Sequence, residues 1–401
     1  MEILDSVVIG AGQAGLSVSY HLTRRGLSHV VLDADAAPGG AWQHRWDSLT
    51  MRDVHGIAEL PGAARLPISG APANVAVPAY FAAYEREHSL PVVRPVKVTS
   101  VVDRDGLLVT SDRSGRSWVS RTIVNATGTW SQPHLPYYPG IASFRGEQLH
   151  THDFPLPSHF AGRRVLVVGG GQSAVQFLGL LAPLTDVLWV TRRPPVWRTA
   201  SLTPADGTAA VALVEDRVRR GLPPLSVVSV TGLLLRPQEE AARRLGVYDR
   251  RLPMFSRLEP DGARWDTTGE NDVVAWDGRP LNGRVEKVDV ILWATGFRPA
   301  ISHLAPLRLR GPAGGIQLDR HGTTAVVDPR VQVVGYGPSA STIGANRAGR
   351  FAARGVTAWL ADPRDRANDA RSHPVGSHSV GSHLAGSSPA SPASANSPLA
   401  G

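Results

Sequence analysis

The chain has 401 residues, of which 42 are Lys or Arg and 34 are Asp or Glu, and it contains no cysteine. This length predicts two or three domains, and the lack of cysteine excludes disulfides, dithiol redox motifs, thiol nucleophiles and Cys-ligated metal sites. Only Lys97 and Lys287 are lysines, and the arginines are spread along the chain rather than clustered with aromatic residues in one patch. We therefore expect no nucleic-acid partner.

A strand–turn–helix–strand pattern opens the chain. An apolar strand at residues 6–9 leads into a glycine-rich turn at 10–15, and a helix with its small and apolar residues at helical spacing extends to Arg25. A second strand at 30–32 ends on Asp33. In such a turn the first glycine permits the bend, the second lets backbone N–H groups approach a pyrophosphate, and the third lets helix and strand pack together.

The same pattern returns in the middle of the chain. An apolar strand at 165–168 precedes a second glycine-rich turn at 169–174, a helix follows, and a strand at 187–190 ends just before Arg192 and Arg193. The apolar stretch from 165 to 190 contains glycines, glutamines and an aspartate, which favour this pattern over a membrane span. We expect no membrane partner. Two such turns, each between a strand and an amphipathic helix, are far more specific than one.

The residues after the two second strands favour different ligands. The Asp33 carboxylate is suited to a ribose 2′-hydroxyl, as in FAD or NAD, whereas Arg192 and Arg193 are suited to a 2′-phosphate, as in NADP. An exposed arginine pair in an arginine-rich protein remains the alternative interpretation of this second site.

The two ends of the chain carry different expectations. The N-terminus has no basic region before its short apolar run, so we expect no signal sequence and a cytoplasmic protein. From Asp362 onward the chain consists largely of Ser, Pro, Ala, Gly and His, which predicts a disordered tail at 362–401. Its regularly spaced histidines leave weak metal binding open.

The segment between the two turns carries a resemblance to a known family. Phe144, Gly146, His150 and Phe154 have the spacing of the fingerprint of the flavin-containing monooxygenases, the two-dinucleotide class that includes N- and S-oxygenating and Baeyer–Villiger enzymes. The resemblance covers residues 1–361. The Baeyer–Villiger form of the fingerprint ends in Trp where this chain has Phe154, which counts against ester-forming chemistry without excluding it.

Other segments resemble the same family. Residues 39–42 are similar to the segment that passes the flavin, 125–130 and 293–299 to the two ATG crossovers, and 335–347 to the last FAD-facing strand and helix start. The resemblance and the turns together imply that FAD is bound by Gly10, Gly12, Gln13, Ala14, Gly15, Asp33, Gly40, Trp42, Ala126, Thr127, Gly128, Gly335 and Asn346. They imply that NADPH is bound by Gly169, Gly171, Gln172, Ser173, Ala174, Arg192, Arg193, Ala294, Thr295 and Gly296.

No acid–base triad is expected, because in this family the cofactors supply the difficult chemistry. The resemblance gives His150 a positioning role near the nicotinamide pocket. Asp53, at a spacing from Trp42 similar to that of an aspartate in Baeyer–Villiger relatives, is the candidate for an ionised group near the flavin. His150, His152 and Asp153 lack a further imidazole at ligand spacing, so we expect no metal.

We therefore predict an α/β fold of two Rossmann-like dinucleotide-binding domains, with an NADP domain (158–285) inserted in an FAD domain (1–157 and 286–361). The resemblance implies a monooxygenase that uses NADPH and inserts one atom of O₂ into a small organic substrate by N-, S- or Baeyer–Villiger oxygenation, through a C4a-(hydro)peroxyflavin. An FAD-dependent NAD(P)H reductase or oxidase, which passes electrons to a partner or to O₂ without oxygenation, is the alternative. A homodimer stays open, and no segment indicates which substrate is oxygenated.

Overall fold

The structure, a computed structural model, describes residues 2–54, 57–198, 204–224, 232–266 and 280–362. These residues lie in one compact unit, Met1–Asp362. The tail predicted at 362–401 lies outside the described residues from Pro363 onward.

The described strands are, in chain order, β1 (Ile3–Ile9), β2 (His29–Leu32), β3 (Val92–Val93), β4 (Val98–Arg104), β5 (Leu107–Asp112), β6 (Ser117–Asn125), β7 (Glu147–His150), β8 (Val165–Val168), β9 (Val187–Val190), β10 (Trp197–Arg198), β11 (Leu233–Leu234), β12 (Arg257–Glu259), β13 (Gly262–Trp265), β14 (Arg284–Lys287), β15 (Val290–Trp293) and β16 (Val331–Val333). The helices are α1 (Gln13–Thr23), α2 (Ala73–Glu87), α3 (Gln172–Leu181), α4 (Pro204–Arg219), α5 (Glu240–Arg244) and α6 (Thr342–Ala361).

The first sheet has the strand order β3-β2-β1-β6-β5-β4, and β16 also pairs with β6. The strands around β1 are parallel, whereas β4, β5 and the start of β6 are antiparallel. Val7 and Val8 point to opposite faces of β1, and both are fully buried because the sheet is covered on both sides. The predicted strand, turn, helix and strand at the start of the chain are confirmed, with Gly26 in the left-handed region three residues after α1.

The second sheet is parallel and has the order β7-β15-β8-β9. Its centre repeats the first sheet, because β8 lies between β9 and β15 as β1 lies between β2 and β6. The fold class of two α/β dinucleotide-binding units is therefore confirmed. The predicted boundaries placed 147–150 and 290–293 in the FAD domain, and in the structure both strands pair within the second sheet. Where one domain ends and the other begins stays a prediction. Both segments complete the second sheet, since β8 needs a parallel neighbour on the side away from β9.

The described residues between 194 and 280, where the sequence was uninformative, pack against both large sheets. Strands β12 and β13 form a small antiparallel sheet with β14, which follows the region, and β10 pairs with β11. Helix α4 packs against the first half of the molecule, where Val218 lies in one apolar cluster with Ile316 and Val333. A Cβ at Gly337 would lie 2.7 Å from the Val218 side chain, so the contact is close. The inserted segment is thus not confined to the second sheet.

Helix α6 spans 20 residues and begins after Ser341, whose hydroxyl accepts a hydrogen bond from the Gly344 N–H at 3.1 Å. It crosses α1 closely, since a Cβ at Gly349 would lie 2.3 Å from Ser17 Oγ. Within the described part of the chain, no helix is both long enough and apolar enough to cross a membrane. The same residues contain no group of three or more His, Asp or Glu side chains placed to hold a metal ion.

A buried histidine predicts how stability responds to acid. His303 hydrogen-bonds through Nε2 to Asn125 Oδ1 at 2.7 Å, and burial lowers its pKa from 6.5 to about 4. An unfolded chain takes up this proton near pH 6.5, whereas the folded chain takes it up only near pH 4. The stability that neutral His303 contributes is therefore complete above pH 6.5 and is lost as the pH falls towards 4, by at most about 3 kcal/mol.

Replacing His303 with Leu should make the free energy of unfolding fall less steeply between pH 6.5 and 4, because one group that the unfolded state protonates is removed. Urea titrations across this pH range measure the slope, with exposed His321→Leu as the matched control. Identical slopes for His303→Leu and the wild type would contradict the assignment.

Candidate functional site

The three glycines of the first turn are required for different physical reasons. Gly10 has φ +101°, and a Cβ there would lie 2.7 Å from the Ala126 carbonyl oxygen. A Cβ at Gly15 would lie 1.8 Å from the Gly10 carbonyl oxygen, so packing alone excludes any larger residue. A Cβ at Gly12 would meet no protein atom within 4 Å. The middle glycine therefore leaves an open face that none of the described residues fills.

The second turn repeats this arrangement. Gly169 has φ +144°, and a Cβ there would lie 2.2 Å from the Ala294 carbonyl oxygen, whereas a Cβ at Gly171 would meet nothing within 4 Å. Ala174, in the position of the third glycine, is fully buried. The backbone follows the same plan, since the N–H groups of Gly10 and Gly169 bond to the last residue of the neighbouring strand at 2.7 and 2.9 Å.

Both turns fit the pyrophosphate of a dinucleotide. Helices α1 and α3 begin immediately after Gly12 and Gly171, and no side chain caps either N-terminus. The first N–H groups of each helix are thus directed at the open face of the middle glycine, together with the positive end of the helix dipole. Ser173, in the first turn of α3, is partly buried, and Gln172 Nε2 donates to the Leu234 carbonyl at 3.4 Å.

Glycines from three other segments surround the first turn. Gly40 has φ +51°, and a Cβ there would lie 2.9 Å from the Gly12 Cα. Trp42 follows in a short 3₁₀ turn, Gly40–Trp42, and is partly buried. A Cβ at Gly335 would lie 3.5 Å from the Gly128 Cα. The segments that the sequence assigned to FAD are therefore brought together around one turn.

The Gln13 side chain places a hydrogen-bond acceptor, its Oε1 atom, beside the first glycine-rich turn. Its Nε2 donates to Asn346 Oδ1 at 3.0 Å and to the Ala58 carbonyl at 3.1 Å, whereas its Oε1 is buried without a partner among the described residues. Asn346 also donates to the Glu59 carbonyl. Buried acceptors are normally paired, and the hydroxyl groups of a dinucleotide are donors of the kind that Oε1 lacks. Ala14, beside Gln13, is buried against this turn.

Asp33 lies at the end of β2, as predicted, and is 5% exposed. Its Oδ2 accepts a hydrogen bond from the Ala11 N–H at 2.5 Å and its Oδ1 accepts one from the Asp35 N–H at 3.0 Å. Burial raises the pKa of Asp33, while the Ala11 bond and Arg94, 3.6 Å away, act in the opposite direction. The carboxylate holds the turn in shape, and its contact with a ribose stays a prediction. Arg94 was not identified from the sequence.

Arg192 and Arg193 are exposed, directly after buried Thr191. The described residues provide no ion pair to either guanidinium, which leaves both available for an anionic ligand. Burial, Arg298 and Arg192 together lower the pKa of His134, so Arg192 lies close enough to influence that imidazole. The backbone N–H of His134 donates to the Gly296 carbonyl at 3.0 Å. The predicted phosphate-binding residues and the second ATG loop are therefore neighbours.

The loops after β6 and β15 brace each other, which no local pattern could show. Ala126 and Ala294 open the two loops, and both are nearly buried. Thr127 Oγ1 donates to the Ala300 carbonyl at 2.6 Å, and Thr295 Oγ1 donates to the His134 carbonyl at 2.5 Å. Thr127 thus ties the loop after β6 to the segment that follows the second loop, and Thr295 ties the loop after β15 to the segment that follows the first. This reciprocal pairing joins the two ATG loops to each other.

Of the four fingerprint residues, three are packing residues and one reaches the site. Phe144 and Phe154 are buried in different apolar clusters, and a Cβ at Gly146 would lie 2.4 Å from the Asp289 carbonyl oxygen. Phe154 stacks on Phe177 with 4.2 Å between ring centroids. The Phe in place of Trp at this position therefore affects the core beside α3.

His150 is 2% exposed and has both ring nitrogens occupied. Nδ1 accepts a hydrogen bond from the His152 N–H at 3.0 Å, so the proton is on Nε2, which donates to the Gly296 carbonyl at 3.0 Å. Burial lowers the pKa of His150 and keeps the imidazole neutral at neutral pH. These contacts suit a residue that positions the second ATG loop, and they leave no ring nitrogen for proton transfer.

Asp53 has a local partner. Its Oδ2 accepts hydrogen bonds from the Thr50 N–H at 3.0 Å and the Thr50 hydroxyl at 2.6 Å, closing a turn. Its backbone carbonyl accepts bonds from Arg236 and, at 3.4 Å, from Gln176 of α3. The segment therefore joins the second turn's helix to the region around Gln13. A role for the Asp53 carboxylate beside the flavin stays a prediction.

An aromatic cluster lies where the two loops meet. Trp130 stacks on Phe297, with 4.9 Å between ring centroids, and lies 5.1 Å from the His152 ring. Arg45 lies over the Trp130 ring at 4.2 Å. The sequence did not identify Arg45 as a member of this cluster. Its only local signal is its position three residues after Trp42.

Comparisons with known proteins agree with this arrangement. The family described as pyridine nucleotide-disulphide oxidoreductase matches residues 7–205. A solved flavin-containing monooxygenase from Stenotrophomonas maltophilia is 37% identical with a TM-score of 0.74, and the match covers 90% of this chain and 100% of that one. A CzcO-like oxidoreductase from Geobacillus kaustophilus is 30% identical over 44% of this chain, and a Baeyer–Villiger monooxygenase from Streptomyces coelicolor is 30% identical over 65%. These matches span 50% and 54% of the two curated relatives.

Gly12, beside open space, and Gly15, packed against a backbone carbonyl, make a testable contrast. Gly12→Ala places its Cβ in open space, at a φ of −78° that alanine tolerates, so we expect near-normal stability with loss of bound flavin. Gly15→Ala forces its Cβ onto a backbone oxygen, so we expect a loss of stability above about 3 kcal/mol. Urea unfolding and the flavin content of purified protein measure the two effects. Gly171→Ala is the control that should retain flavin, and equal destabilisation by Gly12→Ala and Gly15→Ala would contradict the assignment.

Proposed function

Because the chain belongs to the flavin-containing monooxygenases, we propose that it uses FAD and NADPH to insert one atom of O₂ into a small organic substrate. The observation that supports the proposal best is the pair of threonine hydrogen bonds that tie the two ATG loops together. They place the two glycine-rich turns near one aromatic cluster. An enzyme that moves electrons from one dinucleotide to another, and oxygen to a substrate, needs both cofactors at one place.

The first turn is the proposed FAD site. Gly12 and the N-terminus of α1 would hold the pyrophosphate, with Gly40 packed against Gly12 and open space beside Gly128. Asp33 would accept a hydrogen bond from the adenosine ribose in addition to its two backbone donors. The buried and unpaired Gln13 Oε1 supports the assignment, because it lacks a donor that a bound flavin dinucleotide can supply.

The second turn is the proposed NADPH site, with the pyrophosphate at Gly171 and the 2′-phosphate at Arg192 and Arg193. A guanidinium matches the geometry and charge of a phosphate, whereas the carboxylate at the equivalent place in the first turn would repel one. When bound, the two cofactors supply hydride transfer and oxygen activation.

The protein's own residues provide position and exclude water. His150 fixes the carbonyl of Gly296, and His134 donates its N–H to the same carbonyl, so the loop beside the nicotinamide would be held from two directions. Trp130 and Phe297 cover the meeting point of the loops with apolar surface. Excluding water from this point would favour oxygen transfer to a substrate over release of peroxide.

Rapid mixing of the holoenzyme with NADPH and O₂ distinguishes oxygenation from reductase or oxidase activity. We expect the visible absorbance of FAD to bleach with NADPH. On aerobic mixing a spectrum distinct from both oxidised and reduced flavin should then appear before reoxidation. Direct return to the oxidised spectrum, with peroxide formed in proportion to the NADPH consumed, would favour the alternative function.

Arg192→Asp tests the nucleotide preference. We expect the Kd for NADPH to rise about tenfold or more while the Kd for NADH changes little, because only NADPH carries the 2′-phosphate. Titration of the holoenzyme with each nucleotide measures both constants. Arg113→Asp changes the net charge equally at an exposed site on another loop and is the matched control. An unchanged ratio of the two constants would remove Arg192 from the phosphate site.

A further inference from the structure

A buried ion pair lies beside Asp33, the carboxylate that follows β2. Both terminal nitrogens of Arg94 donate to the Glu85 carboxylate at 2.7 Å, so the pair is bidentate. The Arg94 and Glu85 side chains are only 11% and 12% exposed. Arg94 directly follows β3 and Glu85 belongs to α2, so the pair joins two elements that lie outside the glycine-rich turn.

Arg94 also faces Asp33. Its Nε lies 3.6 Å from Asp33 Oδ1, and this nitrogen is buried without a hydrogen-bond partner among the described residues. The guanidinium therefore presents its charge to Asp33 while its two terminal nitrogens stay with Glu85. A bidentate pair fixes the plane of the guanidinium, so Glu85 holds Arg94 in this orientation.

Asp33 depends on a nearby cation because it is buried and both of its oxygens act as acceptors. Oδ2 accepts from the Ala11 N–H at 2.5 Å, and Oδ1 accepts from the Asp35 N–H at 3.0 Å. Protonation would turn one of these oxygens into a donor and break a bond that shapes the turn. Burial raises the pKa of Asp33, whereas the Ala11 bond and Arg94 lower it. The charge of Asp35, which pairs with His44 at 3.1 Å, acts in the same direction as burial.

Helix α2 supports the first turn at a second point. A Cβ at Gly39 would lie 2.8 Å from Pro78 Cγ of this helix, and a Cβ at the next residue, Gly40, would lie 2.9 Å from the turn itself. The same helix therefore positions the loop that passes the turn and, through Glu85, the guanidinium that faces Asp33.

We propose that Arg94, held by Glu85, is a positioning residue that keeps Asp33 ionised, so that the first turn retains FAD across the neutral pH range. The inference rests on the proposed function, because it concerns the FAD site. Ionised Asp33 can accept a hydrogen bond from a ribose hydroxyl while it keeps the Ala11 bond. Without a cation beside it, the buried carboxylate takes up a proton as the pH falls, and both interactions weaken.

Release of FAD from the holoenzyme tests the proposal without NADPH or O₂. Dilution series followed by the fluorescence of released FAD give its Kd between about pH 8 and about pH 6. The wild type and Glu85→Gln, which keeps Arg94, should show a Kd that changes less than about twofold. Glu85→Gln/Arg94→Met removes both charges of the pair, so no buried charge is left unpaired. Its Kd should rise about tenfold or more as the pH falls, since loss of an adjacent cation raises a carboxylate pKa by about one unit or more.

Two further variants identify the titrating group. Arg94→Lys keeps a positive charge and should retain FAD independently of pH, as the wild type does. Adding Asp33→Asn to Glu85→Gln/Arg94→Met replaces the carboxylate with an amide that does not titrate. Binding of FAD should then be weak at every pH, and its pH dependence should disappear.

Three results would overturn the proposal. They are a pH-independent Kd in Glu85→Gln/Arg94→Met, a pH dependence that survives Asp33→Asn, and no FAD retention by Glu85→Gln/Arg94→Met even at about pH 8, where Asp33 is expected to be ionised in either case. Retention of FAD without oxygenation in the rapid-mixing experiment would contradict the proposed function and leave this inference intact.

Discussion

At the two glycine-rich turns, the helix and the strand before it approach so closely that only small residues fit between them. A Cβ at Gly15 would lie 1.8 Å from the Gly10 carbonyl oxygen, and a Cβ at Gly169 would lie 2.2 Å from the Ala294 carbonyl oxygen. Such contacts allow the helix to start at the end of a buried strand with its first N–H groups free. The direction of each helix, the open face beside it and the path of the ATG loop all follow from this contact.

The second level of organisation is the reciprocal bracing of the two loops. Thr127 and Thr295 each bond to the chain that continues from the other loop, so neither dinucleotide site is complete as an isolated unit. His150 extends the bracing to the fingerprint, which otherwise contributes to packing. In this structure the motif therefore contributes packing and the hydrogen bond that holds the Gly296 carbonyl.

Local patterns predicted both strand–turn–helix–strand units, because a tight turn, a buried parallel strand and an amphipathic helix each have their own sequence requirements. They did not predict that β15 completes the second sheet or that α4 packs on the first half through Val218. Those contacts join residues distant in sequence and depend on which apolar surface remains uncovered. Arg94 and Arg45 were missed for the same reason, since an arginine is distinguished only by what surrounds it.

The sequence by itself determined the two dinucleotide turns, the acidic and basic residues that follow their second strands, and the family, because each depends on residue type at short spacing. The tertiary structure alone decided that Gly12 faces open space while Gly15 faces a carbonyl, and that Asp53 caps a turn. It alone placed the Arg45 guanidinium over the Trp130 ring. Burial and the choice of partner are properties of the packed chain, and no spacing along the sequence specifies them.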